Sequence, residues 1–261
     1  MPAGVRLFAR DEVDSTNAEV LRRRDAGEDG PFWVWARSQT GGRGRQGRQW
    51  ISEPGNLYAS TLLGLTGNRY NLTQLSFVAG LAVFDATDRL LGTELVAKPA
   101  LKWPNDLLLD GAKLAGILLE SESRHAGTGH TVVIGIGLNL ISCPDTGLYP
   151  ATCLARHGIE TSPGKAMELL AECFSKRFEQ WSGGQGFSAI LTEWKSRAAG
   201  LGKAVTVRGS SGDLTGIFSG LDDDGALILR DSAGRRHKVL SGDLFLEPAG
   251  DLSGRTGRAG S

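Results

Sequence analysis

The sequence predicts a large α+β domain followed by a small β-barrel. Up to about residue 199, segments of strand character alternate with segments of helical periodicity. Beyond residue 200 the chain changes to short alternating segments separated by turns, the pattern of a barrel of about 50 residues. A length of 261 residues is enough for one large core and one small one. We therefore predict a domain at 1–199, a β-barrel at 200–249 and a disordered tail at 250–261.

The composition disfavours several classes of protein. Lysine plus arginine and aspartate plus glutamate both number 29, so the chain has no overall charge to attract DNA or an anionic membrane. No apolar run approaches the ~20 residues of a membrane helix, and the N-terminus has no signal-peptide pattern. The cysteines, Cys143, Cys153 and Cys173, have no CxxC spacing, which indicates free thiols in a reducing compartment. The histidines show no HExxH spacing, so we expect a cytoplasmic protein without a built-in catalytic metal.

The first hundred residues predict three strands and two helices. The strands are residues 5–10, 31–37 and 57–63, and the second helix is 71–91, with Asn71 as its cap and Gly92 as its end. The first helix begins at Thr16, because Thr16 and Glu19 have the spacing of a capping box. Alternatively, Ser15, Thr16 and Asn17 line a polar pocket at this helix terminus.

The loop after the second strand is rich in glycine and arginine. Residues 41–49 contain four glycines and three arginines, which together cannot form a core element. Backbone amides and guanidinium groups can converge on an anion, so we interpret the loop as a clamp for phosphate and carboxylate. The alternative is a solvated loop or a basic patch on nucleic acid. The spacing Gly42-x-Gly44-x-x-Gly47 matches the dinucleotide fingerprint, but the helix that this fingerprint requires does not follow.

Two lysines and an Asn-Asp pair surround the next turn. Residues 102–106, Lys-Trp-Pro-Asn-Asp, must turn, since proline lacks an amide hydrogen and restricts its predecessor. This turn projects Lys102, Asn105 and Asp106 from a strand end. The dipeptide at 110–111, Asp-Gly, then predicts a hairpin between residues 107–109 and 113–120, with Lys113 just beyond the turn. Alternatively, both lysines are solvated charges at a sheet edge.

The last strand of the large domain, residues 131–140, is interrupted by glycine. Gly135 and Gly137 permit close approach of a ligand or of another backbone, and Asn139 offers both a donor and an acceptor. Packing alone is an alternative explanation of the glycines. Two helices follow, one opened by Ser162-Pro163 and one at 187–199.

These segments together predict a site rich in cationic and amide donors, without a nucleophile paired with a base. Such a site suits a reaction between two substrates, such as a carboxylate attacking the α-phosphate of ATP. The protein then supplies orientation and charge stabilisation.

Five motifs, in this order and spacing, resemble those of biotin protein ligases. They are Asp14-Ser-Thr-Asn17, Gly42-Arg-Gly-Arg-Gln-Gly-Arg48, Lys102-Trp-Pro-Asn-Asp106, Lys113-Leu-Ala-Gly-Ile117 and Gly135-Ile-Gly-Leu-Asn139. The resemblance implies a mixed-sheet catalytic domain of the biotin/lipoate-ligase type, followed by a small SH3-like β-barrel. Only 14 residues precede Ser15, too few for a helix-turn-helix, so we expect the catalytic form without a DNA-binding domain.

The resemblance also implies roles for individual residues. The biotin-binding residues would be Ser15, Thr16, Asn17, Gln39, Arg43, Gly44, Arg45 and Lys113. The ATP-binding residues would be Arg48, Trp50, Lys102, Asn105 and Asn139. The catalytic residues would be Arg45, Lys102, Lys113 and Asp106, with Asp106 either helping to hold Mg²⁺ or orienting a lysine.

The implied activity is a two-step ligation. Biotin and MgATP give biotinyl-5′-AMP, and a lysine of a biotin carboxyl carrier domain, such as that of acetyl-CoA carboxylase, then takes the biotinyl group. We expect no DNA partner, a monomer or weak homodimer, and a mobile loop from Gly41 to Trp50 that closes over the adenylate. The alternatives are a lipoate or octanoate ligase, a non-catalytic biotin- or adenylate-binding module, and a nucleic-acid binder.

Overall fold

The computed structural model describes residues 1–28, 30–66, 71–93, 97–123, 129–144, 150–209 and 212–246. The chain divides into two compact units. The first comprises Met1–Ala199 and Asp223–Gly225, and the second comprises Gly200–Asp222 and the chain from Ala226 onward. The tail predicted at 250–261 lies outside the described residues.

The first unit contains a seven-stranded mixed sheet, as predicted. Its strands are β1 Arg6–Val13, β2 Phe32–Gln39, β3 Leu57–Thr66, β4 Pro99–Lys102, β5 Asp106–Leu109, β6 Ala112–Ser123 and β7 Gly129–Leu138. They lie in the order β1-β2-β3-β7-β6-β5-β4, with β1 parallel to β2 and the other neighbours antiparallel. The edge strand β1 is exposed except at Phe8 and Val13, so its predicted buried face is only partly formed.

Helices cover both faces of this sheet. They are α1 Thr16–Asp25, α2 Gln74–Leu91, α3 Pro163–Trp181 and α4 Phe187–Ser196. Phe32 and Val34 of β2 pack with Val20 of α1. Trp33, between them in sequence, packs against Phe174 of α3 with a ring-centroid distance of 5.4 Å. Because neighbouring residues of a strand point to opposite faces, α1 and α3 lie on opposite faces of the sheet. Across the described ranges, no helix combines the length and apolar character needed to cross a membrane.

The ends of the elements follow local chemistry. Ser162 caps α3, since its hydroxyl accepts the Lys165 amide at 3.2 Å, as the Ser-Pro start predicts. Helix α2 begins later than predicted, because Thr73 is the N-cap and the Asn71 side chain accepts the Thr73 amide at 3.2 Å. The β5–β6 turn has φ of 50° at Asp110 and 80° at Gly111, the left-handed conformations that an Asp-Gly hairpin requires.

The second unit is a five-stranded antiparallel sheet. Its strands are β8 Ala204–Gly209, β9 Gly212–Leu221, β10 Leu227–Arg230, β11 Arg236–Val239 and β12 Asp243–Leu246, in the order β11-β10-β9-β8-β12. Val205, Phe218, Leu229 and Leu244 are fully buried and form its core. The alternating pattern beyond residue 200 predicts strands at 203–208, 213–221, 225–230 and 237–240, and β12 has no counterpart among them. The SH3-like form of this unit stays a prediction.

Candidate active site

The N-terminus of α1 joins β2 through a neutral hydrogen-bonded cluster. The amide and the hydroxyl of Thr16 lie 2.8 and 3.1 Å from Oε1 of Gln39. The predicted capping box at Thr16 is wrong, because Ser15 occupies the N-cap position and its side chain makes no capping hydrogen bond. The free helix amide is satisfied by a side chain from another element instead. The alternative prediction, a polar pocket lined by Ser15, Thr16 and Asn17, stays a prediction.

A serine of β3 also belongs to this cluster. Ser60 is fully buried, and its hydroxyl oxygen lies 2.7 Å from Oγ1 of Thr16 and 2.6 Å from Oδ1 of Asn17. The Asn17 amide donates to Glu120 of β6 at 2.7 Å. We call Thr16, Asn17, Gln39 and Ser60 the neutral cluster. Because its polar atoms are held by one another, it presents fixed donors and acceptors.

The glycine-arginine loop is anchored at both ends, at one end to Asp14 and at the other to Gln39 of the neutral cluster. Its N-terminal end is held by the Gly41 amide, which donates to the Asp14 carbonyl at 2.8 Å. Its C-terminal end is held by Ser52, whose hydroxyl accepts from Nε2 of Gln39 at 2.8 Å. Between these anchors, Arg43 reaches Glu120 at 3.2 Å, so the loop lies against β6. A cavity of about 410 Å³ adjoins this contact; its lining residues are Leu21, Arg43, Glu120, Ser121, Glu122, Thr131 and Val133.

Two lysines flank one buried carboxylate where β4, β5 and β6 meet. Nζ of Lys102 lies 3.2 Å from Oδ2 of Asp106, and Nζ of Lys113 lies 2.7 Å from Oδ1. The side chains of Lys102 and Asp106 are 7% and 8% exposed, so the alternative of solvated edge lysines is wrong for Lys102. We call Lys102, Asp106 and Lys113 the charged cluster. The contact between Nζ of Lys113 and Oδ1 of Asp106 is an ion pair without the alignment of a hydrogen bond.

The two lysines decide the ionisation of Asp106. Burial by itself would raise the pKa of this carboxyl, because a charge is poorly solvated inside the protein. The charges of Lys113 and Lys102 outweigh burial and hold the pKa of Asp106 below its usual value. The carboxylate is therefore ionised at neutral pH and compensates part of the positive charge around it.

An asparagine links the charged cluster to the loop. Oδ1 of Asn105 accepts from Nη1 of Arg45 at 3.2 Å, and Nδ2 of Asn105 donates to the Ile117 carbonyl at 2.6 Å. Arg48 turns back along the loop, since its Nε donates to the Arg45 carbonyl at 3.2 Å. Arg45 thus lies near the strand end that carries Asp106, as the sequence prediction requires.

Trp50 lies across the glycines of two neighbouring strands. A methyl group added at Gly116 of β6 or at Gly137 of β7 would overlap the Trp50 ring. Nζ of Lys113 lies 5.3 Å from the centroid of that ring. Among the described residues, the buried Trp50 Nε1 has no hydrogen-bond partner, and it lies against Gly137 of β7. In the same way, a methyl group added at Gly135 would overlap the Asn17 side chain. The lack of a side chain at Gly135 and Gly137 therefore lets Asn17 and Trp50 pack directly on the β7 backbone.

Asn139 is buried at the end of β7. Its Nδ2 donates to the Thr152 carbonyl at 3.0 Å, and its amide donates to the Leu114 carbonyl at 2.9 Å. The following residues are held by Asn56, whose Oδ1 accepts the Leu140 and Ile141 amides at 2.8 and 3.0 Å. The side chain of Asn139 is therefore engaged in holding the next segment of the chain.

The structure thus places the predicted site residues in two groups with a loop between them. The neutral cluster holds Thr16, Asn17 and Gln39, with Ser15 buried beside it, and the charged cluster has Arg45, Trp50 and Asn105 around it. Gly44 and Arg48 lie within the loop, and Arg43 leads toward Glu120. Asn139 stands apart, held by the segment that follows β7.

Sequence analysis did not single out several residues that the structure adds to the site. They are Ser52, Ser60, Gly116 and Glu120. Ser60 carried a usable signal, because a hydroxyl within the apolar run of β3 needs a buried partner. Glu120 carried none, since an acidic residue on a strand is usually solvent-exposed.

Comparison with known proteins identifies the class. The profile of the Biotin/lipoate A/B protein ligase family matches residues 9–139. The profile of the Biotin protein ligase C terminal domain matches residues 200–246. The mixed sheet, the site and these two matches define a ligase of the biotin/lipoate type.

Relatives narrow this class. A Biotin--[acetyl-CoA-carboxylase] ligase of Paracoccus denitrificans is 42% identical over 230 residues, covering 86% of this chain and 94% of that protein. One of Mycobacterium tuberculosis is 34% identical over 244 residues, covering 89% of this chain and 86% of the other. The solved biotin protein ligase of Aquifex aeolicus, in complex with biotin and ATP, superposes with a TM-score of 0.77 at 28% identity, covering 93% and 98% of the two chains. The chain therefore belongs to the biotin protein ligase family.

Proposed function

We propose that this protein activates biotin with MgATP and transfers the biotinyl group to a lysine of a biotin carboxyl carrier domain. The relatives from Paracoccus and Mycobacterium are named as ligases acting on acetyl-CoA carboxylase, and the Aquifex structure holds biotin and ATP. These names support biotin and ATP as substrates, and an acetyl-CoA carboxylase carrier domain as the acceptor.

The charged cluster is the observation that carries the proposal. Lys102 and Lys113 are held on either side of one ionised carboxylate, and Arg45 lies beside them through Asn105. The charged cluster itself contains two lysines and one carboxylate, a set of side chains that suits an anionic substrate. A biotin carboxylate and an α-phosphate repel each other, so a site that joins them must supply this charge.

In the first step, a carboxylate oxygen of biotin attacks the α-phosphorus of ATP and pyrophosphate leaves, giving biotinyl-5′-AMP. In the second, the amine of the acceptor lysine attacks the acyl carbon and AMP leaves. Arg45, Lys102 and Lys113 stabilise the charge that develops on the phosphate and acyl oxygens. Removal of one such group typically costs on the order of 10²–10³ in rate.

The neutral cluster is assigned to the uncharged part of biotin. Ser15, Thr16, Asn17 and Gln39 offer amide and hydroxyl groups, which suit a neutral ligand with donors and acceptors. Arg43, Gly44, Arg45 and Lys113 are assigned to its carboxylate. The residues assigned to ATP are Arg48, Trp50, Lys102, Asn105 and Asn139, and the position of the Trp50 ring beside Lys113 supports a role for Trp50 in this set.

The site shows no dedicated set of ligands for Mg²⁺. Both oxygens of Asp106 contact lysines, and the described residues contain no group of three acidic, histidine or cysteine side chains that could hold a metal. We therefore assign Asp106 to orienting Lys102 and Lys113. Mg²⁺ enters bound to ATP, and the phosphate oxygens and water molecules supply most of its ligands.

We assign a closing motion to the loop from Gly41 to Trp50. Its backbone is held across the loop by the Gly44 amide to the Arg48 carbonyl at 2.7 Å and the Trp50 amide to the Gly42 carbonyl at 2.9 Å. The contacts of Arg43 with Glu120 and of Arg45 with Asn105 would have to break for the loop to move, and closure would exclude water from the adenylate. Trypsin should cut after the loop arginines more slowly once biotin and ATP are added. Equal cutting rates with and without the substrates would disprove closure.

The cellular setting is part of the proposal. We place the protein in the cytoplasm, as a monomer or weak homodimer that binds neither DNA nor membranes. Free thiols at Cys143, Cys153 and Cys173 support a reducing compartment. DNA binding would show as an affinity that falls steeply with salt, which a titration at two ionic strengths can measure.

The reaction is tested by the intact mass of a purified biotin carrier domain. The carrier is incubated with this protein, MgATP, and either biotin or lipoate. A biotinyl mass increment that requires ATP and is lost in Lys113→Ala would support both the reaction and the site. A lipoyl increment would identify a lipoate ligase instead. Tight biotin binding without any increment would identify a non-catalytic binding module.

A further inference from the structure

A short segment, residues 150–155, lies between the start of β6 and the end of β7. The Lys113 amide donates to the Pro150 carbonyl at 2.7 Å, and the Thr152 amide donates to the Lys113 carbonyl at 2.9 Å. On its other side, the Thr152 carbonyl accepts from Nδ2 of Asn139 at 3.0 Å. The backbone of one residue, Thr152, is thus bonded to a lysine of the charged cluster and to the asparagine assigned to ATP.

The segment is fixed to β7 beyond this point as well. The Leu154 amide donates to the Asn139 carbonyl at 3.2 Å, and the Ala155 amide donates to the Leu140 carbonyl at 2.8 Å. A shift of the segment would therefore carry Asn139 and Lys113 with it. The backbone of Thr152 therefore braces the Asn139 side chain against Lys113, beside the direct hydrogen bond from the Asn139 amide to the Leu114 carbonyl at 2.9 Å.

The side chain of Thr152 is itself anchored. Thr152 is 5% exposed, and its hydroxyl lies 2.9 Å from Nε2 of His157. Nδ1 of His157 lies 3.7 Å from Oδ2 of Asp110, an ion pair when the imidazole is protonated. Asp110 belongs to the β5–β6 turn that leads directly into Lys113. The contacts therefore run from Lys113 through Thr152, His157 and Asp110 back to the strand that carries Lys113.

We propose that Thr152, His157 and Asp110 are positioning residues that fix Lys113 relative to Asn139 and thereby set the affinity for ATP. The inference rests on the proposed function. None of the three reacts with substrate; they act through Asn139, which is assigned to ATP, and through Lys113, which is assigned to the biotin carboxylate and the α-phosphate. Loosening their contacts should weaken ATP binding, which depends on Asn139, more than biotin binding, which also depends on the neutral cluster. A purely structural role would affect both substrates.

The test is biotin-dependent exchange of pyrophosphate into ATP, with KM measured for each substrate. Thr152→Val removes the hydroxyl at nearly constant volume, and we expect the KM for ATP to rise about three- to tenfold, as for one lost hydrogen bond. The KM for biotin should change less than about twofold, a difference too small to count as a lost hydrogen bond. Thr152→Ser keeps the hydroxyl and should restore most of the ATP affinity.

A double-mutant cycle separates a shared network from independent effects. His157→Phe should raise the KM for ATP to a similar extent, and combining it with Thr152→Val should add little further, because both remove the same contact. Multiplied effects in the double variant would contradict the network. Thr192→Val is the matched control, since it removes an exposed hydroxyl that donates to the Ser188 carbonyl at 2.9 Å in α4, and it should leave both KM values unchanged.

The outcomes distinguish this inference from the proposed function. If the unchanged protein shows no biotin-dependent exchange, the proposed function fails and the inference fails with it. If exchange occurs but Thr152→Val keeps the ATP KM of the unchanged protein, only the inference is wrong. It is also wrong if both KM values rise together while the midpoint of urea unfolding falls, because the network would then serve stability alone.

Discussion

The neutral cluster and the charged cluster solve the same problem of burying polar groups in opposite ways. In the neutral cluster, Thr16, Gln39 and Ser60 satisfy one another through hydrogen bonds of 2.7 to 3.1 Å. In the charged cluster, the ammonium groups of Lys102 and Lys113 both contact the carboxylate of Asp106. Removing one hydrogen bond costs about 1 kcal/mol, whereas stranding a buried charge costs about 3–5 kcal/mol.

This difference separates recognition from reactivity. Neutral donors and acceptors can discriminate a ligand by geometry at little electrostatic cost. Buried cations are costly to keep, so their presence indicates a task that requires charge. Substitutions in the charged cluster should therefore affect stability and rate, and substitutions in the neutral cluster should affect affinity.

The largest effect is expected for Asp106→Asn. Without the carboxylate, two lysines lie together in a largely buried position, and unfolding should become easier by about 3–5 kcal/mol. The measurement is the midpoint of urea unfolding at pH 7. The control is Asp25→Asn, because the side chain of Asp25 is 67% exposed and pairs with Arg24 at the surface. Equal destabilisation by the two substitutions would show that loss of the buried carboxylate costs no more than loss of an exposed one.

The contribution of Asp106 should also depend on pH. The neighbouring lysines depress its pKa in the folded state, so it contributes stability that is fully present above the unfolded pKa of about 3.9. That contribution is lost as the pH falls through the folded pKa. The difference in urea midpoint between the unchanged protein and Asp106→Asn should be constant from about pH 7 to 5 and should shrink below about pH 4. A difference that widens on acidification would contradict the assignment.

Lys113→Met should lower the rate more than the stability. The side chain of Lys113 is 23% exposed, and its loss leaves Asp106 paired with Lys102. We expect the rate of biotin-dependent pyrophosphate exchange to fall on the order of 10²–10³ at saturating substrates. Lys165→Met is the control, because Lys165 is an exposed residue in the first turn of α3 and should keep the full rate. A loss of less than tenfold at Lys113 would exclude it as a catalytic residue.

In the neutral cluster, Thr16→Val should weaken biotin binding while leaving kcat within about twofold. The substitution removes the hydroxyl between Gln39 and Ser60, and we expect the KM for biotin to rise about five- to tenfold, as for one lost hydrogen bond. Ser60→Ala should have a similar effect, and the double variant should be no worse than either one. A large fall in kcat would show that Thr16 affects the rate as the charged cluster does, and the proposed division between affinity and rate would be wrong.

The smallest effect is expected at the surface beside the neutral cluster. The hydrogen bond from Arg22 lowers the pKa of Asp14 to about 2, with Nη2 of Arg22 2.7 Å from Oδ1. Arg22→Gln should bring this pKa back toward 3.8, which carboxyl NMR titration can measure. Because the pair is exposed, stability should change by less than about 1 kcal/mol. An unchanged pKa would show that the pair does not persist in solution.

The sequence by itself determined most of the elements and the family, and it predicted a set of site residues. Hydrophobic periodicity located the helices within a few residues, and Asp110-Gly111 located the β5–β6 turn, because these signals depend on local backbone preferences. The motifs around Arg45, Lys102 and Asp106 identified a cation-rich site, since the residue types themselves carry the charge. The matching family profiles confirm the family that these motifs resemble.

The tertiary structure decided how those residues are used. Only the fold shows that Thr16 meets Gln39 rather than capping its own helix, because the two are brought together by the pairing of β1 with β2. Lys102 is buried in the charged cluster and is not a solvated lysine at a sheet edge. Its burial results from the adjacent positions of β4, β5 and β6 in the sheet. Long-range contacts of this kind leave no periodic trace in the sequence, since each partner is chosen by the packing of distant segments.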